Sequence, residues 1–160
     1  MIEVARTAGV ARQTLYNHYP DVDSVLADAL ARHSQHRLEQ LRSAVSVAET
    51  APDKIEQLAR HIALISTEQG HSIDLDHSLA PHHRVALTSF NSALAALIVV
   101  ILHPGQADGA FRADLDAGVD APLVRQLLTG ISNLVSADPA RAATIATTST
   151  RTILAALTNP

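Results

Sequence analysis

Cysteine is absent from this chain. Neither a disulfide nor a cysteine-ligated zinc can therefore hold it together, which fits a reducing compartment. Tryptophan is absent too, and aromatic residues make up only 2% of the sequence, so any core must be built from aliphatic side chains. No run of alternating β-branched and polar residues is long enough to argue for a sheet. The longest apolar run, Ala93 to Leu102, falls far short of the roughly 20 residues that span a bilayer. No basic stretch leads into an apolar stretch and a cleavage site at the start. The expected location is the cytoplasm, without membrane contact. A glycine-rich phosphate loop, a nucleophile elbow and a His-Glu zinc helix are all lacking, so an enzyme is not expected. A basic excess is lacking as well, the formal net charge being −4.

What is present is a helical signal. The 160 residues are enough for one domain, or for a small head on a larger body. Hydrophobic residues reach 47% and charged residues 18%, a composition that folds rather than stays disordered. Short helices are expected over residues 2–8, ending at Gly9, and 12–18, ending before Pro20. Asp21 is a plausible N-cap for a long helix over 22–48. Pro52 suits the first turn of a helix over 53–68, with Ile55, Leu58, Ala59, Ile62 and Ile65 or Ser66 on one face. Residues 70–81 read as polar and irregular. The stretch 82–103 is apolar all round beyond position 93 and is expected to be the central, buried helix, stopped by Pro104-Gly105. A loop over 104–119 follows, with a helical turn near Phe111. Asp120 is expected to cap the next helix, and Asp138-Pro139 to start the last, which runs to about Leu157.

The charge is unevenly spread. Residues 1–20 hold Arg6 and Arg12 against Glu3 alone, and the body carries the acidic excess. In this head two short helices meet across Gly9, which permits the left-handed backbone of a tight turn. Val4, Ala5, Val10 and Leu15 can share a small core, and Ala5 and Ala8 let the helices approach. This is the logic of a helix-turn-helix, whose second helix enters the major groove of double-stranded DNA. That second helix is suited to the task. Arg12 can bind guanine bidentately and Gln13 adenine, while Thr14 and Tyr16 offer hydroxyls to phosphates and Asn17 and His18 extend the polar face. The same spacing also describes a helical hairpin packed on the body with its polar residues solvated.

The run Val4-Ala5 through Ala8-Gly9-Val10, then Thr14-Leu15-Tyr16-Asn17-His18-Tyr19-Pro20, resembles the DNA-binding motif of TetR-family regulators. Val25-Leu26 and Ala29-Leu30 look like the start of that family's connecting helix, so the motif match covers residues 2–30. Gly109 to Asp116 looks like the link many members carry before their last two helices. The resemblance implies an all-α homodimer, with a DNA-reading head and a larger effector-binding and dimerisation domain. It divides the chain into a truncated helix-turn-helix segment at 1–21, a connecting helix at 22–48, and an effector and dimer domain at 49–160. By position it makes Arg12, Gln13 and Asn17 base readers, and Thr14, Tyr16 and His18 contacts to phosphates or the groove edge. Two departures matter. Members have a helix before the position of Met1, and a lysine where this chain has Val22, whose loss removes a phosphate contact. Either the true start lies upstream or operator binding is lost.

For the body, the resemblance implies an effector pocket among the helices at 53–68, 82–103 and 120–136, with His61, Ile65, Phe90, Leu94, Ile98 and Leu127 as lining. Ordinary core is the alternative for each. Few polar groups among them suit a small hydrophobic effector. Leu128, Ile131, Val135, Ile145, Ser149 and Ile153 on the last two helices are expected to form a four-helix interface with a second copy. Their alternative is packing within the chain. His71, His77, His82, His83 and His103, near Asp74 and Asp76, match no closed metal-site spacing, and no metal or cofactor is expected. The function expected is a ligand-responsive DNA-binding repressor, released from its operator by a small effector. A dimeric ligand-binding module without operator binding is the alternative.

Overall fold

The computed structural model describes residues 1–68 and 81–158. Most of the stretch 70–81, expected to be irregular and holding His71, Asp74, Asp76 and His77, lies outside them, as do the side chains of His82 and His83. The described residues form seven α-helices and one short 3₁₀ turn, with no strand among them. The helices are α1 (Ile2–Ala8), α2 (Arg12–His18), α3 (Val22–Ser46), α4 (Ala51–Glu68), α5 (Pro81–Ala107), α6 (Ala117–Ala137) and α7 (Ala142–Leu157), with the 3₁₀ turn at Pro139–Arg141 before α7. The all-α reading holds.

Local chemistry places most boundaries where the sequence puts them. Gly9 ends α1 at φ 66°, and Val10 N–H then donates back to the Ala5 carbonyl at 3.1 Å, a left-handed C-cap. Asp21 caps α3 by accepting the Ser24 N–H at 2.7 Å. Three boundaries differ. The last α-helix starts at Ala142 rather than at Pro139, because a 3₁₀ turn occupies 139–141 and Asp138 makes no side-chain capping bond. Pro104 does not stop α5, which continues to Ala107. The carbonyl that a proline here leaves without a donor is that of Val100, which is exposed and open to water. Asp116, not Asp120, caps α6, accepting the Gly118 N–H at 2.8 Å. Asp120 instead accepts the Asp116 N–H at 2.7 Å and pairs with Arg112 at 3.3 Å.

The central helix is α4. It packs on α3, α5, α6 and α7, and its Ile55, Leu58 and Ala59 are fully buried. Small residues on its face, among them Ala59 and Ala63, let neighbours close in on several sides. Ser66 is buried at no apparent polar cost, since its Oγ donates to the Ile62 carbonyl at 2.7 Å and shares a 3.0 Å bond with Ser132 Oγ on α6. The expectation of a central α5 fails because that helix has an outer face. Leu94, Ile98, Ile101 and Leu102 point inward, whereas Val85 and Val100 are exposed. The Leu87–Ala107 segment is long and apolar enough to cross a bilayer by length and composition. In this fold it packs against α3, α4 and α6.

The link before α6 is a clamp. Phe111 is buried, and its N–H donates to the Gly105 carbonyl at 2.8 Å while Arg112 N–H donates to the Leu157 carbonyl at 2.9 Å. It thereby ties the end of α5 to the end of α7. Gly105 is required there, because a Cβ would collide with the Phe111 ring and lie 2.6 Å from the Ala51 Cβ.

Candidate DNA-binding head and ligand groove

The head is built on a thin core. Ala5 and Leu15 are its buried side chains, and Val4 is half-buried. Val10, expected in that core, is 42% exposed, and Ala8 also faces out. A seven-residue helix buries one stripe only, and here Leu15 takes that place on α2. Its remaining faces are free. Arg12, Gln13, Thr14, Tyr16, Asn17 and His18 are all exposed. Gln13 Nε2 donates to Asn17 Oδ1 at 3.2 Å, one turn along the helix, which aligns both side chains on a single face. Arg6 on α1 pairs with Glu3 at 2.6 Å in full solvent, a contact of small energetic worth.

A polar chain that sequence reasoning missed joins the head to α3. The Tyr19 hydroxyl donates to Asp28 Oδ2, and Asp28 pairs with Arg32 at 2.9 Å. The Tyr19 hydrogen bond, and after it Arg32, holds the Asp28 carboxyl below its ordinary value. The same bond to Asp28 raises the Tyr19 phenol. The recoverable signal was the i, i+4 spacing of Asp28 and Arg32.

The residues expected to line an effector pocket are only partly brought together: Leu94 and Ile98 share one core cluster, and Phe90 packs against it. Ile65, Leu94 and Ile98 are buried at 4% exposure or less as ordinary core. Phe90 is half-buried, with the Arg37 guanidinium 5.6 Å from its ring centroid. Burial lowers the Arg37 pKa, and its Nε has no hydrogen-bond partner among the described residues. Leu127 lies on the outside of α6 at 45% exposure. His61 lines an open groove between α4 and α7 with a volume of ≈ 1160 Å³, to which the other five do not contribute. Sequence reasoning missed Arg60, Thr150 and Arg151, which share that groove. Pairing α4 with α7 requires knowing which helices are neighbours, and periodicity does not say.

The expected interface residues also divide. Leu128, Ile131 and Val135 are completely buried, and Ile153 is 1% exposed. All four belong to the chain's own core, so they have no surface left for a partner. Ile145 and Ser149 are half-buried and keep some. The available apolar surface is a second stripe on α6. Val119, Leu123, Leu127 and Leu134 are 45–57% exposed and recur at helical spacing on one outer face. Gly130 lies within this stripe, with open space where its Cβ would be.

Among the described residues, no group of three His, Asp or Glu side chains is placed to hold a metal.

No protein-family model matches the sequence. No curated protein matches it either. Solved structures do resemble it. Reduced NemR from E. coli superposes over 100% of this chain and 87% of its own, with a TM-score of 0.80 at 15% identity. The transcriptional regulator FadR from Bacillus subtilis, solved with stearoyl-CoA, covers 96% of this chain and 86% of its own, with a TM-score of 0.76 at 14% identity. A protein from Shewanella sp. PV-4 assigned to the tetR family of transcription regulators covers 98% and 86%, with a TM-score of 0.74 at 18% identity. The fold is therefore that of TetR-like regulators.

Proposed function

We propose that this chain, with its TetR-like fold, is a dimeric, ligand-responsive regulator of transcription that binds double-stranded DNA and acts as a repressor. It is not read as an enzyme, and the role places it in the cytoplasm. The observation that carries the reading is the head: six polar side chains of α2, from Arg12 to His18, are exposed on a short helix held by Gly9 and anchored through Tyr19. Arg12 and Gln13 suit guanine and adenine edges, and Thr14 and Tyr16 suit phosphates. A second copy would dock through the outer stripe of α6, centred on Leu123, Leu127 and Leu134. Ile145 and Ser149 would join it from α7. A small hydrophobic effector would then alter the spacing of the two recognition helices, whose half-sites lie about 34–36 Å apart or a multiple of it.

A second reading is a dimeric ligand-binding module that does not bind an operator. The exposure of Ile2, Val10, Val22 and Leu26, between 38% and 57%, favours it, because a head with so much apolar surface uncovered is weakly braced.

Selection from a pool of random duplexes at low salt separates the two. The regulator reading expects enrichment of a two-fold symmetric site, and Arg12→Ala to weaken it by about 30-fold or more, since each copy loses one bidentate base contact. A chain that enriches no sequence, while remaining a dimer in ultracentrifugation, supports the module reading.

A further inference from the structure

We infer that the groove between α4 and α7 binds an amphipathic organic anion, a carboxylate carried on a short apolar chain and free in solution. The inference deepens the regulator reading and rests on it only for the consequence of binding, not for binding itself.

The groove has the two halves such a ligand needs. Its apolar lining is Ala63 and Leu64 from α4, with Ala143, Ala146 and Leu154 from α7. Small alanines leave concave space for a chain of methylenes, and ligand pockets commonly combine an apolar body with a few fixed polar groups. Its charge favours an anion. Arg60 is tied to Glu56 at 3.5 Å, while Arg151 has no carboxylate within ion-pair distance among the described residues. The lining therefore carries two arginines against one glutamate. A guanidinium is the side chain best shaped to take both oxygens of a carboxylate.

Two buried polar atoms lie beside the groove without a partner. Thr150 Oγ1 and His61 Nε2 have no hydrogen-bond partner among the described residues, and both residues line the groove. Thr150 as a whole is only 7% exposed. Its behaviour is unlike that of its neighbours. Thr147 and Thr152 each turn the hydroxyl back to the carbonyl four residues earlier, at 2.9 and 3.0 Å. A buried hydroxyl left unpaired is costly, and such groups call for an explanation. Both atoms are closed off from the groove as the side chains stand, so a carboxylate there would reach them only after Thr150 and His61 rotate about their side-chain bonds.

The groove is also separate from the surface suited to a second copy. At 100° per residue, Ala143, Thr147 and Arg151 occupy one flank of α7, while Ile145, Ser149 and Thr152 occupy the other. The uncharged stripe of α6 suits a twin, whereas a groove with two arginines would set like charges near each other.

The test is calorimetric titration of the intact chain, without DNA, using decanoate and decyltrimethylammonium as probes. Decanoate is expected to bind once per chain, and the cationic probe of equal length not to bind. Arg151→Ala should weaken decanoate by about tenfold or more, the scale of a charge-assisted hydrogen bond. Ala143→Trp, on an exposed position, should crowd the α7 side of the groove and weaken binding. Thr152→Ala, on the opposite flank, should change nothing. Melting curves confirm that each variant is folded. Decanoate binding that neither Arg151→Ala nor Ala143→Trp weakens overturns the site, and so does equal binding of both probes, or none below about 1 mM. Failure of operator selection leaves this result untouched.

Discussion

Replacing Thr150 by valine should make the free protein more stable. The hydroxyl of Thr150 is buried and unpaired among the described residues, in a side chain at the seam of α4 and α7. Leaving a buried polar group unsatisfied costs about 1–3 kcal/mol, whereas a methyl of the same shape carries no such penalty. Helix propensity does not oppose the change, since threonine and valine are nearly equal within a helix. The net expectation is a gain of about 1 kcal/mol. For a chain of this size that is a rise in Tm of about 2–4 °C. The assay is thermal and urea unfolding of the two proteins side by side, with an unchanged m-value showing that the unfolded state is the same. Ser66→Ala is the matched control. Its hydroxyl is buried but bonded to Ile62 and Ser132, so its removal should lower stability by about 1 kcal/mol. A Thr150→Val protein less stable than the parent would show that the hydroxyl is satisfied, and would remove one support from the groove assignment. If the groove binds a carboxylate, the same substitution weakens decanoate while stabilising the free chain, a trade of stability for function.

Other perturbations test other parts of the fold. Gly105→Ala gains up to about 1 kcal/mol of helix propensity, but its methyl meets the buried Phe111 ring and Ala51; overpacking of that kind costs about 1–3 kcal/mol, so urea unfolding should show a net loss. Leu127→Glu, on an exposed position, should leave the melting curve of the monomer nearly unchanged. Because it occurs twice in a symmetric pair, it should weaken dimerisation by about 100-fold or more in sedimentation equilibrium. The Asp28 carboxyl is held below its ordinary value by Tyr19 and Arg32. Its support of the head is therefore complete above the unfolded carboxylate pKa and fades as pH falls through the lower folded value. Tyr19→Phe should flatten that acid-side dependence, read from amide exchange in α1 and α2.

Much of the fold was legible because helix boundaries are local chemistry. Gly9, Asp21 and Pro52 act within one turn of themselves, and each lies at a helix end or first turn as expected. The misplaced boundaries were those decided elsewhere. Pro104 is tolerated because the carbonyl it disturbs belongs to exposed Val100. Asp120 is drawn away from capping by Arg112, eight residues back. The identity of the central helix was hidden for a related reason. Composition favoured α5, yet a central position needs small faces on several sides, and Ala59, Ala63 and Ser66 give those to α4.

Four of the six residues expected at an interface are core instead, for a reason that is itself physical. Helix α6 carries two apolar stripes, one through Val124, Leu128, Ile131 and Val135 and one through Val119, Leu123, Leu127 and Leu134. Periodicity finds both but does not rank them, since each recurs at the spacing of a buried face. Among the described residues only one of them has a partner, because α4, α5 and α7 pack on α6 and bury the first. Leu127 was expected in a pocket and Leu128 at an interface, whereas Leu127 faces outward and Leu128 is core, a difference of one residue, about 100° on the helix. The outer stripe is the one whose burial requires a second molecule. Two such stripes from symmetric copies can face each other across the open position at Gly130, where the lack of a side chain allows the two backbones to approach.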